Sequence, residues 1–129
     1  MKKQTKPTSS DQLVTSVIRG MQDMKAEKIC LIDLRGIENA VSDYFVICSG
    51  NSDIHLQGIY KNVEKEVEES HNEEPWMVEG RTNREWILLD YASVVAHIFK
   101  NEKRDFYGLE DLWGDAKIIE ISSEETKGN

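Results

Sequence analysis

The sequence predicts an α/β fold in which helices pack against a mixed β-sheet. Two kinds of hydrophobic spacing alternate along its 129 residues, one with the period of a helix and one with the short apolar runs of buried strands. The elements follow in the order α-β-β-α-β-β-β-α, without internal repeats or a linker. Because helices alternate only partly with strands, a mixed sheet is favoured. We predict one domain over residues 10–121, with disordered tails at 1–9 and 122–129.

The first half of the chain predicts two helices and two strands. A capping box begins at Ser9 and apolar residues follow at helical spacing, which predicts a helix over about 10–26. Short apolar runs at 29–34 and 44–48 predict two strands. Residues 51–53 (Asn-Ser-Asp) offer N-cap chemistry for a second helix. The apolar stripe of this helix consists of Leu56, Ile59, Tyr60, Val63 and Val67.

The second half predicts three strands and a short helix. Residues 76–78, 86–91 and 94–99 are the strands, and the turn residues between them favour antiparallel hairpins. Apolar residues at helical spacing predict a third helix within 106–113, and residues 117–121 are a candidate for a further strand.

The charge and hydropathy of the chain exclude several classes of function. The net charge is −8, with 24 acidic against 16 basic residues, which opposes phosphate contacts and sequence-specific nucleic-acid binding and favours basic partners. The acidic run on the second helix is interpreted as a solvated face rather than a binding surface. No apolar run approaches the roughly 18–20 residues of a membrane span, and polar residues follow the basic start. We therefore expect a cytoplasmic protein.

The sequence contains few features that indicate catalysis or ligand binding. Cys30 and Cys48 lie in apolar runs, so they are buried free thiols or, less simply, a disulfide between neighbouring strands. Zinc-ligand spacing does not occur in the sequence, and we expect no metal and no cofactor. Residues 49–52 join a strand to a helix and are interpreted as a capped turn rather than as an anion site.

Acidic and histidine residues do not form a recognisable catalytic pattern. Asp33, Asp43 and Asp90 lie near strand ends but are isolated in sequence, whereas a two-metal site needs paired carboxylates. Their convergence in space stays open. His97 is the best catalytic candidate by residue type, although a lone histidine on a strand face is more often structural. The other two histidines fall on the second helix and are expected to face solvent. We therefore expect no enzyme and assign no catalytic residues.

Aromatic residues concentrate in the second half of the chain. Seven of the ten aromatic residues lie from Trp76 onward, more than one sheet face and a short helix readily bury. Tryptophan and tyrosine dominate the energetics of protein–protein interfaces. This concentration predicts a partner-binding surface. Trp86 and Tyr91 lie on opposite sides of one strand by simple alternation, so at least one ring should project to solvent.

Several strings together resemble the ribosomal silencing factor family, also called the Iojap family. They are residues 43–52 (DYFVICSGNS), 79–80 (EG), 86–91 (WILLDY), 94–99 (VVAHIF) and 104–113 (RDFYGLEDLW), in the family's order. The resemblance covers about residues 10–115. One departure is visible, because Ala92-Ser93 stands where the family usually carries Gly-Asp.

The resemblance implies a nucleotidyltransferase-like fold without catalytic carboxylates. It further implies binding to large-subunit ribosomal protein fourteen, which would sterically block subunit joining and repress translation when nutrients are scarce, and a homodimer when the protein is isolated. It places the family's C-terminal surface and its supports at Trp86, Tyr91, His97, Arg104, Tyr107 and Trp113. Trp86 and Tyr91 are the first candidates for direct contact, whereas Trp113 is a candidate anchor of the helix.

Two other interpretations stay open at this point. The first is a nucleotidyltransferase-like enzyme or nucleotide-binding module, which would depend on metal or nucleotide, whereas occlusion would be stoichiometric. The second is an assembly factor for the large subunit that uses the same contact earlier.

Overall fold

A computed structural model describes residues 8–122 as a six-stranded sheet with helices packed against it. The elements are α1 (Ser10–Asp23), β1 (Glu27–Asp33), β2 (Tyr44–Gly50), α2 (Asp53–His71), β3 (Met77–Glu79), β4 (Trp86–Asp90), β5 (Val94–Lys100), α3 (Asn101–Tyr107), α4 (Leu109–Leu112) and β6 (Lys117–Glu120). The strand order is β3-β4-β5-β2-β1-β6. The predicted fold class is confirmed.

The sheet is mixed because its two central strands run parallel. β2 pairs with β5 in parallel, and every other neighbouring pair is antiparallel. The predicted hairpins β3–β4 and β4–β5 are present. In the central pair Ile47 lies opposite His97, so residues of odd number on both strands point to the same side of the sheet.

The two long helices cover one side of the sheet, which we call the helical face. Ser9 forms the predicted capping box of α1, and the side chain of Ser52 caps α2. A Cβ atom added at Gly20 would lie 2.8 Å from the Cα atom of Val63, so glycine permits the close contact of α1 with α2. The strand residues that complete this core include Val46, Cys48, Ile87, Leu89, Ala96 and Ile98, together with Tyr91 directly after β4.

The opposite side of the sheet, which we call the aromatic face, carries a second cluster. Phe45, Ile47, Val95 and Phe99 belong to it, and Leu109 of α4 packs against it. Trp86, Leu88 and Trp113 are only partly buried there. The short helices α3 and α4 therefore give this face a much smaller cover than α1 and α2 give the other.

The two cysteines lie on different faces. Cys30 belongs to the cluster of the aromatic face and Cys48 to that of the helical face, and both are buried free thiols. Burial raises the pKa of the Cys30 thiol to about 11. The preferred interpretation of the cysteines is confirmed, because side chains on opposite sides of a sheet cannot form a disulfide.

The C-terminal elements differ from the prediction in detail. The third helix begins at Asn101, directly after β5, and Gly108 divides it from α4 with a left-handed φ of 58°. The candidate strand near residues 117–121 is present as β6, which pairs with β1.

The C-terminal end of the described chain is hydrogen-bonded to α1. Gln22 donates a hydrogen bond to the carbonyl oxygen of Ser122, while the rest of the two predicted tails, 1–7 and 123–129, lies outside the described residues. Among the described residues, none of the helices has the length and apolarity to cross a membrane.

Candidate partner-binding surface

Trp86 and His97 form the centre of the aromatic face. The indole Nε1–H of Trp86 donates a hydrogen bond of 3.0 Å to Nδ1 of His97. The Trp86 ring also stacks on Phe99 and lies against Tyr107, with centroid distances of 4.8 Å in both pairs. This position follows from the register, since Trp86 on β4 faces Phe99 on β5. The contacts hold the tryptophan ring in one orientation.

His97 is held as a neutral ring. Its side chain is 3% exposed, and burial lowers the pKa of the imidazole from 6.5 to about 3. Because Nδ1 accepts the indole proton, the ring carries its own proton on Nε2, which has no hydrogen-bond partner among the described residues. The ring of Phe45 covers it at a centroid distance of 4.5 Å. His97 therefore positions Trp86, and its depressed pKa makes it a poor general base at neutral pH.

Arg104 joins the short helix α3 to the sheet. Its guanidinium is buried and donates to the Lys28 carbonyl at 2.6 Å and to the Ser49 hydroxyl at 2.9 Å. Nη2 also forms an ion pair with Glu110 at 2.7 Å. The positively charged fork thus satisfies groups on two strands and on α4 at once. Arg104 supports the surface from below and does not form part of its exposed area.

Tyr107 and Trp113 form the accessible rim of the aromatic face. Tyr107 is 37% exposed, and its hydroxyl donates to Glu85 at 3.2 Å. Trp113 is partly buried with its ring edge against Phe45, at a centroid distance of 6.0 Å. That contact fits the predicted anchoring role of Trp113.

Tyr91 does not belong to this surface. It is 3% exposed and packs into the core of the helical face. Tyr91 is therefore wrong as a candidate for direct contact, because alternation places its ring on the side that α1 and α2 cover. Its hydroxyl has no hydrogen-bond partner among the described residues. Of the two first candidates for direct contact, only Trp86 is placed where a partner can reach it.

A groove next to His97 was missed by reasoning from the sequence. This sheet groove has a volume of about 530 Å³. Its lining residues are Ala40, Val41, Ser42, Asp43, Phe45, Met77, Leu88, Asp90, Ala92, Ser93, Val95 and His97. Val41 and Met77 are exposed, and so is Trp76, which precedes β3 and is 84% exposed. The exposure of Trp76 has a signal in the sequence, since Pro75 and the acidic residues before it indicate a chain segment outside the core.

The three isolated aspartates do not form a metal site. Asp33 pairs with Arg35 at 2.8 Å, and the hydrogen bonds from Arg35 lower the pKa of this carboxyl to about 2. Asp43 accepts a hydrogen bond from Ser10, and Asp90 accepts one from the Ala92 amide. Asp43 and Asp90 both line the sheet groove, whereas Asp33 does not. Within residues 8–122 there is no group of three or more side chains that could hold a metal ion.

The strand–helix turn at residues 49–52 uses its polar groups internally. The backbone amide of Asn51 donates a hydrogen bond to Nδ1 of His55, and the Ser49 hydroxyl accepts one from Arg104. The other ring nitrogen of His55 bonds to the Met24 carbonyl at 2.8 Å. His71 is likewise partly buried, with Nε2 2.7 Å from the Ser16 hydroxyl. Both histidines were expected to face solvent; instead each ties α2 to neighbouring backbone or to α1.

This arrangement defines an α/β domain in which one sheet face, lined by aromatic and apolar side chains, remains partly accessible. The family model described as "Ribosomal silencing factor during starvation" matches residues 7–129. The chain belongs to this family, whose members are ribosome-associated regulators of translation.

Relatives and solved structures agree with this assignment. The ribosomal silencing factor of Bacillus subtilis is 39% identical over 99 residues, which are 77% of this chain and 82% of that protein. The mouse protein named "Mitochondrial assembly of ribosomal large subunit protein 1" is 31% identical over 81% of this chain and 48% of its own length. A crystal structure of a Bacillus halodurans protein superposes with a TM-score of 0.74 and 32% identity, covering 86% of this chain and 99% of that one.

Proposed function

We propose that this protein binds the large ribosomal subunit through its protein fourteen and sterically blocks joining of the small subunit. The observation that carries the proposal is the aromatic face, where Trp86, Tyr107 and Trp113 remain accessible. Trp86 is already fixed by His97 and Phe99, so little conformational entropy is lost when a partner covers it. These residues lie in the strings that resemble the family.

The charge of the chain fits the same partner class. Ribosomal proteins are largely basic because they contact RNA phosphates, and a net charge of −8 attracts such proteins over long range. Charge acts mainly on the association rate, whereas buried aromatic rings supply most of the binding energy. We propose that Arg104 and His97 support this surface and that the isolated protein forms homodimers. It is expected to act in the cytoplasm.

Substitution of Trp86 tests the surface directly. Trp86→Ala should weaken binding to purified large subunits by about 30- to 1,000-fold, the effect of losing roughly 2–4 kcal/mol at an interface hot spot. Co-sedimentation with separated subunits measures binding, and light scattering during subunit mixing measures joining. We expect the wild type to slow joining in proportion to its concentration, without added metal or nucleotide.

Matched controls distinguish a lost contact from a lost fold. Glu68 is exposed on α2, on the far side of the sheet, and Glu68→Ala should bind like the wild type. Circular dichroism and thermal melts must show that Trp86→Ala remains folded. Wild-type co-sedimentation by a folded Trp86→Ala protein would place the binding surface elsewhere.

A second candidate function is assembly of the large subunit, which the name of the mouse relative favours. The same contact made on an immature subunit would then assist its maturation. Cells that lack the protein would accumulate large-subunit precursors during growth, whereas a silencing role predicts excess translation after nutrient withdrawal. An enzymatic role is the least supported, and we expect no nucleotidyl transfer with magnesium or manganese.

A further inference from the structure

We propose that the sheet groove holds one lysine side chain of the partner that covers the aromatic face. This inference rests on the proposed function, since the groove and the aromatic face lie on the same side of the sheet and share His97. It depends on the charge of the groove, on a ring nitrogen without a hydrogen-bond partner, and on the spacing between the groups that would contact the lysine.

The sheet groove is acidic at its rim and apolar at its floor. Asp43 and Asp90 line it, and none of the described lining residues is lysine or arginine. The floor is formed by Phe45, Leu88 and Val95. A complementary side chain therefore has a positively charged end on a long apolar stem, as lysine and arginine do.

The hydrogen bonds of Asp90 favour lysine over arginine. Its Oδ1 already accepts a hydrogen bond of 2.7 Å from the Ala92 backbone amide, whereas Oδ2 has no partner among the described residues. A guanidinium group binds best to both oxygens of a carboxylate at once, whereas an ammonium group needs only one. The one free oxygen of Asp90 therefore suits the compact charge of lysine.

His97 supplies a second sign of a bound group. It lines the groove and is 3% exposed, and its Nε2 has no hydrogen-bond partner among the described residues. Nδ1 is turned toward Trp86, which lies outside the groove lining, so the ring edge with Nε2 is the one on the groove side. A buried N–H group without an acceptor costs free energy, and a backbone carbonyl oxygen of the partner would remove that cost. Nε2 is covered in the free protein, so the floor side chains must shift slightly when the carbonyl binds.

The spacing of these groups fits one extended residue. Asp90 pairs with Val95 across β4 and β5, and His97 lies two residues further along β5. The Cα atoms of Asp90 and His97 are therefore about 8 Å apart at the usual strand dimensions. The four-carbon stem of lysine is roughly 6 Å long. A lysine whose backbone carbonyl oxygen lies at His97 thus brings its ammonium group to Asp90, while its stem covers the apolar floor.

The open shape of the groove favours a protein partner over a small molecule. The exposed side chains of Val41 and Met77 form part of its lining. A small ligand would keep much of its surface in water there, whereas pockets for small molecules bury most of their ligand. A protein that covers Trp86 closes the adjacent groove from above and excludes water from the ion pair. The net charge of −8 attracts a basic protein to this surface.

Blocked amino acids test the groove without the ribosome. In the full-length protein, N-acetyl-lysine N-methylamide should shift the backbone amide signals of Met77, Leu88 and Val95 in a nuclear magnetic resonance titration. The corresponding norleucine compound has the same stem without the ammonium group, and it should bind about threefold more weakly, the effect of losing a partly exposed ion pair. Asp90→Asn keeps an oxygen for the Ala92 amide and removes the charge, so it should bind the two compounds equally.

Purified large subunits test whether the partner supplies the lysine. Asp90→Asn should weaken co-sedimentation by about tenfold, because a lysine covered by the interface then has no anion beside it. The matched control, Glu68→Gln, removes the same charge from the exposed surface of α2 and should bind like the wild type.

Two results would overturn the proposal. One is equal binding of the lysine and norleucine compounds by the unmodified protein. The other is large-subunit binding by Asp90→Asn that equals binding by Glu68→Gln. Trp86→Ala in the same assay identifies which idea has failed. If Trp86→Ala weakens binding and Asp90→Asn does not, only the groove assignment is wrong; if neither weakens it, the proposed function is wrong as well.

Discussion

The two faces of the sheet are built from the same strands but differ in composition and in how completely helices cover them. Along β5, Val94, Ala96 and Ile98 enter the core beneath α1 and α2, whereas Val95, His97 and Phe99 point to the aromatic face. The helical face is a mainly aliphatic core that also contains three buried tyrosines. The aromatic face holds large rings, one neutral histidine and a groove, and short helices cover it only in part. The difference assigns the core of the fold mainly to the helical face and leaves the aromatic face as the proposed recognition surface.

The largest effect that should separate the faces is the loss of Tyr91. Tyr91→Ala removes a buried ring from the helical face and should lower the free energy of unfolding by about 3–5 kcal/mol, as for other large core deletions. Urea unfolding measures this change. Trp86→Ala, on the aromatic face, should lower the free energy of unfolding clearly less than Tyr91→Ala does. It should weaken binding to the large subunit more. A Tyr91→Ala protein as stable as the wild type would show that the ring is not part of the core.

Tyr91→Phe is the matched control for that experiment. It retains the ring and removes a buried hydroxyl that has no partner among the described residues. Its stability should equal or exceed that of the wild type, because the hydroxyl is desolvated without compensation. A marked loss of stability would mean that this hydroxyl makes a hydrogen bond in solution.

Mild acid should lower the free energy of unfolding, because His97 is buried on the aromatic face as a neutral ring. Burial lowers its pKa from 6.5 to about 3, so between these values the unfolded chain binds a proton that the folded chain does not. Stability is therefore present in full above pH 6.5 and falls as the pH drops toward 3. Between pH 7.5 and 5.0 the expected loss is about 2 kcal/mol, at 1.36 kcal/mol for each pH unit below 6.5.

A variant isolates the contribution of this histidine. His97→Leu cannot titrate, and the two histidines on α2 are retained, so its unfolding free energy should depend less on pH over the same interval. Chemical denaturation at several pH values gives the comparison. The same slope in both proteins would assign the acid sensitivity to other groups.

The smallest predicted effect concerns the turn that joins β4 to β5. Ala92 has a φ of 74°, in the left-handed region that costs a residue with a Cβ roughly 1–2 kcal/mol. Ala92→Gly should therefore stabilise the protein by about 1 kcal/mol, which raises the urea midpoint by about 0.5 M. This conformation also gives a reason for the glycine that the family usually carries there.

Gly80 provides the reverse substitution. Its φ is 88°, and a Cβ atom there would collide with the Trp86 carbonyl oxygen. Gly80→Ala should be destabilising, in contrast to the gain at Ala92. If both substitutions change stability in the same direction, backbone strain does not explain the turn.

Hydrophobic spacing predicted the elements well where it was long and regular. The apolar stripe of α2 predicted that helix, and the partial alternation of helices with strands along the chain predicted the mixed sheet. Alternation places Trp86 and Tyr91 on opposite sides but does not reveal which side the helices cover, and for this reason Tyr91 was misplaced. The sheet groove brings together residues from β2, β3, β4 and β5, and pairing between distant strands is not encoded in local spacing. The division of the third helix depends on the conformation of Gly108.

The parallel pairing of β2 with β5 also constrains how the chain reaches its native state. Tyr44 pairs with Val94, so the centre of the sheet closes only after a long intervening stretch has been brought together. Such non-local contacts require the loss of loop entropy before they contribute energy, which slows folding. During synthesis α1, β1, β2 and α2 emerge first, and one edge of β2 remains without its partner until β5 has been made. The nascent chain thus passes through a stage with an open apolar strand edge, which is a template for aggregation.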